Sequence, residues 1–184
     1  MAFNINDIRS QLTLGGARPS LFQVIISNPV NPIADLKLPF LCKAAQMPAS
    51  SLLGTIEVPY FGRKLKIAGD RRFDAWAVTI INDEDFLVRN AMETWNNSIN
   101  LYQQNITALG TSAPAVYKSQ ATVTQFGKDG TILRTYQFNG IFPDQISPID
   151  LSWNATDEIE EFQVSFQYDT FEVLNSITGN AGGS

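Results

Sequence analysis

The chain has 184 residues, 44% of them hydrophobic and 17% charged, with a formal net charge of −5, one cysteine and no histidine. That length suits one well-buried core and is short for two, so residues 1–184 read as a single domain, and the lone Cys42 excludes both an internal disulfide framework and a cysteine-type metal site. Without histidine the chain lacks the commonest general base, the usual catalytic triad and the commonest transition-metal ligand at once.

In chain order, residues 1–16 come first. Phe3, Ile5, Ile8, Leu12 and Leu14 make this segment too apolar for a solvated tail and too short for a core element, so it reads as an arm seeking a partner surface. Strands are predicted at 21–27, stopped by Asn28-Pro29, at 39–45, and at 55–60, where Pro59 calls for an edge or a projection. Residues 58–68 form a hairpin around Gly62, with Leu65 and Ile67 on one face and Lys64 and Lys66 on the other. A strand over 73–81 turns Trp76, Val78 and Ile80 to one side.

A helix is predicted over 82–102. Asn82 would cap it, Asp83, Glu84 and Asp85 favour the positive end of its dipole, and Val88, Ala91, Met92, Trp95, Ile99 and Tyr102 recur at helical spacing. Strands at 118–126 and 132–138 flank Asp129-Gly130, the favoured pair for a two-residue hairpin turn. A last strand at 160–168 alternates Phe162, Val164, Phe166 and Tyr168 with Glu161, Gln163, Ser165 and Gln167. Core residues thus run over 17–174, and 175–184 is a flexible tail.

Sites for chemistry are scarce. Neither a dinucleotide fingerprint nor a phosphate loop is present. The acidic clusters at 83–85 and 157–161 read as a helix start and a strand entry, so no enzyme, cofactor or metal is expected. No apolar run approaches the ~20 residues of a membrane span, and residues 1–20 lack the pattern of a signal peptide, so a soluble protein made in a cytoplasm is expected. Charge is uneven: nine basic against four acidic residues up to Arg72, then four against fourteen from Phe73. If those signs segregate in space, head-to-tail copies attract one another; if strands from both halves interleave, the signs mix.

Residues 63–84 carry Arg63-Lys64, Ala68-Gly69-Asp70-Arg71, Phe73-Asp74, Trp76, Val78-Thr79 and Asn82-Asp83-Glu84, an order that resembles the tail tube protein of contractile-tailed bacteriophages. Ala17-Arg18-Pro19, Cys42-Lys43-Ala44, Met47-Pro48-Ala49, Tyr117-Lys118 and Leu151-Ser152-Trp153 extend the likeness over most of the chain, with departures at 28–38, 100–114 and 175–184. The resemblance implies a mainly β fold: an antiparallel β-sandwich or barrel-like core with one flanking α-helix and a projecting hairpin. It further implies a structural subunit that stacks as hexameric rings into a hollow conduit for DNA inside a contractile sheath, in a virion tail, with sheath, baseplate and tail terminator proteins as partners.

On that reading three surfaces matter. Phe3, Ile5, Ile8, Leu12, Arg63, Lys64 and Lys66 would contact neighbouring subunits or rings; Thr122, Thr124, Thr135 and Gln137, on uncharged strand faces, would line the lumen; Asp83, Glu84 and Asp85 would face the sheath. An uncharged lining fits passage of DNA, because neutralising phosphates with cations is what makes nucleic acid stick. Two other readings stay open at this point: a type VI secretion-like tube or effector carrier, and a monomeric ligand-binding β-sandwich.

Overall fold

The computed structural model describes residues 5–12, 15–176 and 179–180. Its centre is a long two-stranded ribbon. One strand, here β9, is unbroken over Ile132–Ile146; its partner is β10 (Glu161–Gln167) followed, after Tyr168-Asp169, by β11 (Thr170–Leu174), both antiparallel to β9. On the first half of β9, β8 (Ser119–Phe126) and then β1 (Phe22–Ile26) add to its other edge, giving the order β1-β8-β9-β11. On the second half, β7 (Trp76–Ile81) and then β2 (Cys42–Ala45) add to β10.

The two sheets share the ribbon, which bends where they meet. Gly140 sits there at φ +71, opposite Asp169, and a Cβ at Gly140 would lie 2.2 Å from the Asp169 carboxylate. Only glycine takes that backbone conformation without cost while leaving room for the carboxylate. Lys118 fastens the corner from outside, with Nζ 2.7 Å from Asp169 Oδ1.

Alternation drives the halves together. Val24 and Ile26, Ala121 and Val123, Trp76, Val78 and Ile80, and Phe162, Val164 and Phe166 all point into one buried cluster. Trp76 stacks on Phe138 of the other sheet at 4.4 Å and lies 5.7 Å from Phe166, which in turn is 6.3 Å from Trp95 of the helix. Both indole N–H groups are satisfied, Trp76 by Gln46 O and Trp95 by Tyr117 O.

The helix, α3, is Leu87–Ile99, with Val88, Ala91, Met92, Trp95 and Ser98 buried. It is shorter than 82–102 because Asn82 does not cap it: the Asn82 side chain donates to Glu160 Oε2 and its backbone N–H to Glu160 O, extending the sheet by one residue. Asp85 instead accepts from the Leu87 N–H, and Tyr102 is exposed beyond the helix end. Residues 28–38 are stitched to α3 by the buried Asn28, whose side chain donates to Ala91 O and accepts from Val30 and Asn31. Asp35 receives the Asn28 N–H, and burial, the larger effect, holds its carboxyl above the usual range.

Three other expectations are corrected. The segment expected to begin a strand at Pro39 forms a short helix, α2 (Leu38–Leu41), because proline suits a first helical turn, and only Cys42–Ala45 is extended. Burial pushes the Cys42 thiol up to about 11, consistent with an inert side chain. The Asp129-Gly130 turn contains three residues rather than two, since Gly127 and Thr131 form its closing pair and Asp129 accepts from Thr131. Strand β9 runs to Ile146 and β11 follows β10, both beyond the predicted limits.

Replacing Gly140 with Ala should destabilise the fold by about 2–3 kcal/mol at the shared corner. Urea unfolding of the variant against the unaltered chain measures this, with an unchanged midpoint as the contrary result.

Candidate assembly surfaces

The hairpin consists of β4 (Thr55–Tyr60) and β5 (Arg63–Ala68), and every residue of both strands is exposed. Among the described residues it pairs only with itself, above a two-residue stem of β3 (Ser51–Leu52) and β6 (Arg71–Arg72). Phe61 and Gly62 both have positive φ, 42° and 80°, the requirement of the tight turn that matches strand twist. Register then fixes the faces. Ile56 opposes Ile67, Val58 opposes Leu65 and Tyr60 opposes Arg63, so these form one side; Glu57 opposes Lys66 and Pro59 opposes Lys64 on the other.

The hairpin therefore has an apolar and a polar side, and the basic trio is divided. Lys64 and Lys66 share the polar side, with Lys64 Nζ 2.6 Å from Glu57, while Arg63 stands among the apolar residues. Phe61 packs edge-on against Tyr60 at the tip and is 91% exposed.

Thr122, Thr124, Thr135 and Gln137 come together on one sheet face. Thr122 opposes Gln137 and Thr124 opposes Thr135, on the side away from Val123 and Phe138. The rows continue through Ile25 and Glu172 beside the first pair, and Gln23 and Leu174 beside the second. Hydroxyls of Thr124 and Thr135 lie 3.2 Å apart, and Gln137 donates to Gln120 and Asn139, which donates on to Glu172. Thr135 is buried beneath its neighbours. Glu172 is the single ionisable group in these rows.

Asp83, Glu84 and Asp85 cluster in the loop before α3. Lys37 binds Asp83 at 3.0 Å and also Asp85, whose carboxyl that bond, with the Leu87 N–H, holds below the usual range. Lys43 likewise meets Glu161 across the chain. Charges of the basic first half thus partly neutralise those of the acidic second half within the subunit, while the hairpin keeps its own. Beside Lys37, Ile33, Leu36 and Phe40 are exposed. Sequence reasoning did not select them, although their three- and four-residue spacing is a helical signal.

The N-terminal helix, α1, spans Ile5–Gln11 and has no buried residue; Ile5, Ile8 and Leu12 share one exposed side. Phe3 lies outside the described residues.

Residues 11–174 match the family model described as phage tail tube protein. The chain belongs to the phage tail tube protein family. It is 36% identical over 157 residues to tail tube protein gp19 of Enterobacteria phage T4, covering 85% of this chain and 91% of that one. The fold is similar to the anti-feeding prophage tube terminating cap, with a TM-score of 0.62 at 21% identity over 96% of this chain and all of that one. It is also similar to a chain of the PVC sheath-tube complex in the extended state, with a TM-score of 0.54 at 16% identity over 96% of this chain and 100% of that one.

The family tail tube protein is a structural component of the virion tail, which selects the first of the three readings. No helix among the described residues is long and apolar enough to cross a membrane. The matched span excludes most of α1 and everything after Leu174.

Because the hairpin is exposed throughout, replacing residues 55–68 with Gly-Gly should leave the subunit folded, with a melting temperature within about 4 °C of the unaltered chain. Calorimetry checks this, and a much larger fall would place the hairpin within the subunit's own cooperative core.

Proposed function

We propose that this tail tube subunit assembles as hexameric rings stacked into the hollow tube of a contractile tail, enclosed by a sheath and ended by baseplate and terminator proteins, and conducts DNA without binding it specifically. The observation that carries this reading is the sheet β1-β8-β9-β11. Among the described residues its outer strands β1 and β11 each pair on one side only, and they run antiparallel to each other. The free edge of β11 in one copy therefore meets the free edge of β1 in the next in the correct sense for a ladder, and repeating the contact closes a barrel without an exposed edge.

The face of that sheet with Thr122, Thr124, Thr135 and Gln137 then becomes the lumen wall. Thr124 and Thr135 share a hydroxyl contact and Gln137 donates to Gln120 and Asn139, and the face offers DNA no cation. The subunit carries no catalytic role, consistent with a chain that lacks histidine.

The hairpin supplies contact between rings. Its apolar side is not covered by any of the described residues, and burying the half of each of Ile56, Val58, Leu65 and Ile67 that is exposed would contribute about 1 kcal/mol apiece. The helix with Ile5, Ile8 and Leu12 orders against a neighbouring ring in the same way, and Asp83, Glu84 and Asp85, of which Glu84 lacks an ion pair among the described residues, face a basic sheath surface.

Changing Arg63 and Lys64 together to Glu should block polymerisation while circular dichroism stays unchanged; normal tubes by negative-stain microscopy would refute the hairpin contact. Changing Thr122 and Thr124 to Lys should leave tubes intact and slow genome ejection by about tenfold or more, because every ring repeats the added cations. Unaltered ejection from assembled tails would remove these residues from the lumen wall.

A further inference from the structure

A groove of 610 Å³ opens at the end of the sandwich next to the hairpin stem, between Pro48 and Ser50 on one side and β11 on the other. Phe73 and Phe171 meet edge-on at 5.7 Å in its wall, beside Tyr136. Two guanidinium groups and one carboxylate, Glu172, line it; neither guanidinium has an ion pair among the described residues, and Glu172 accepts from the Asn139 amide, so the lining is net basic. Arg71 donates to Ser50 Oγ, and Arg134 lies 5.2 Å from the Tyr136 ring with its Nε buried and without a hydrogen-bond partner. A buried, unpaired guanidinium N–H is costly unless something arrives to accept from it.

The complementary feature is the loop between β9 and β10. Residues 150–159 are all exposed, and Trp153 at its centre is fully exposed, whereas Trp76 and Trp95 are buried at 2% and 0%. The loop holds Asp150, Asp157 and Glu158 and no basic residue. None of these three has a partner among the described residues, unlike Glu160 and Glu161, which engage Asn82 and Lys43. Loop and groove stand at opposite halves of the bent ribbon, one beyond Ile146 and the other around residues 134–136 and 170–173, so joining them joins two copies head to tail.

We propose that Trp153 of one copy seats in the aromatic groove of the next, with Asp157 and Glu158 pairing with Arg71 and Arg134. This rests on the self-assembly reading above and specifies one of its joints. Charge chooses the occupant. Phe61, an exposed aromatic side chain at the hairpin tip, arrives with Arg63, Lys64 and Lys66 and would bring like charge to the two arginines. The exposed Tyr102 and Leu109 lie in a stretch, residues 100–113, that has no charge to pair. Tryptophan and arginine seated in well-packed pockets are among the side chains that most often dominate affinity in interfaces.

Acrylamide quenching of tryptophan emission reads the contact directly, because Trp153 is the exposed indole. Quenching should be strong in the free subunit and largely lost in tubes. Arg134→Glu, and separately Asp157→Arg with Glu158→Arg in the exposed loop, should each lower the yield of polymer at fixed concentration about tenfold or more. Combining the three substitutions should restore it. Trp153→Ala should reduce polymer comparably without altering circular dichroism. Tubes in which Trp153 remains quenchable, or normal assembly by the loop variant, overturn the joint and leave the tube reading standing. Failure of the unaltered chain to polymerise at any concentration overturns both.

Discussion

The bend in the central ribbon is the constraint on which the remaining structure depends. A flat ribbon of this length would carry its two sets of added strands in one plane and leave both apolar faces in water. Bending at Gly140 and Asp169 folds the halves together, so that Phe138 on one side meets Trp76, itself packed beside Phe166, on the other. Four-stranded order on the first half follows directly, and with it the two unpaired antiparallel edges. A residue with a side chain at position 140 would push against the carboxylate that Lys118 holds in place, so the corner, the core and the free edges share one cause.

A second feature is how much apolar surface the subunit leaves outside. The core takes the aromatic spine, yet Ile56, Val58, Leu65 and Ile67 on the hairpin, Ile5, Ile8 and Leu12 on the first helix, and Phe40 and Trp153 elsewhere stay in solvent. Scattered single residues of this kind are ordinary, whereas faces of an element set by register are not. A chain that behaves as a part rather than a finished object would have this surface: buried residues define the subunit, and exposed stripes define its neighbours.

Much of this was legible in the sequence, and the exceptions have physical reasons. Alternation marks strands strongly when one face is buried, so Trp76-Val78-Ile80 and Phe162-Val164-Phe166 were found, as were the hairpin and the shared face of Thr122, Thr124, Thr135 and Gln137. The second half of β9 was missed because Asn139, Gly140 and Pro143 break the apolar pattern at the corner, where the strand changes sheets. Asn82 misled for a different reason: a side chain suited to a cap was recruited by Glu160, which comes from a distant part of the sequence. The division of Arg63 from Lys64 and Lys66 was visible in principle from the two-residue period. Neither the groove around Arg134 nor its unpaired Nε could be read, because its walls come from segments near residues 48–50, 71–73, 134–136 and 170–173.

On the proposed assembly, the separation of charge from the sheet face explains how one subunit can bind its copies tightly and DNA hardly at all. Backbone pairing along β1 and β11 is short-ranged and nearly indifferent to salt, whereas ion pairs at the hairpin, the acidic loop and the groove steer approach over about a Debye length, ~8–10 Å. Attraction of that reach would also act on phosphate if it faced the channel. The sheet keeps cations off the Thr and Gln rows and retains one acid, Glu172, tied to the Asn139 amide. Hydroxyls and amides, some of them bonded to one another, then present DNA with a neutral surface that holds no cation for its phosphates. The same division of labour sets the direction of the sequence asymmetry: basic residues concentrate in the hairpin and its stem, acidic ones in the loops, and the strands between them carry the neutral wall.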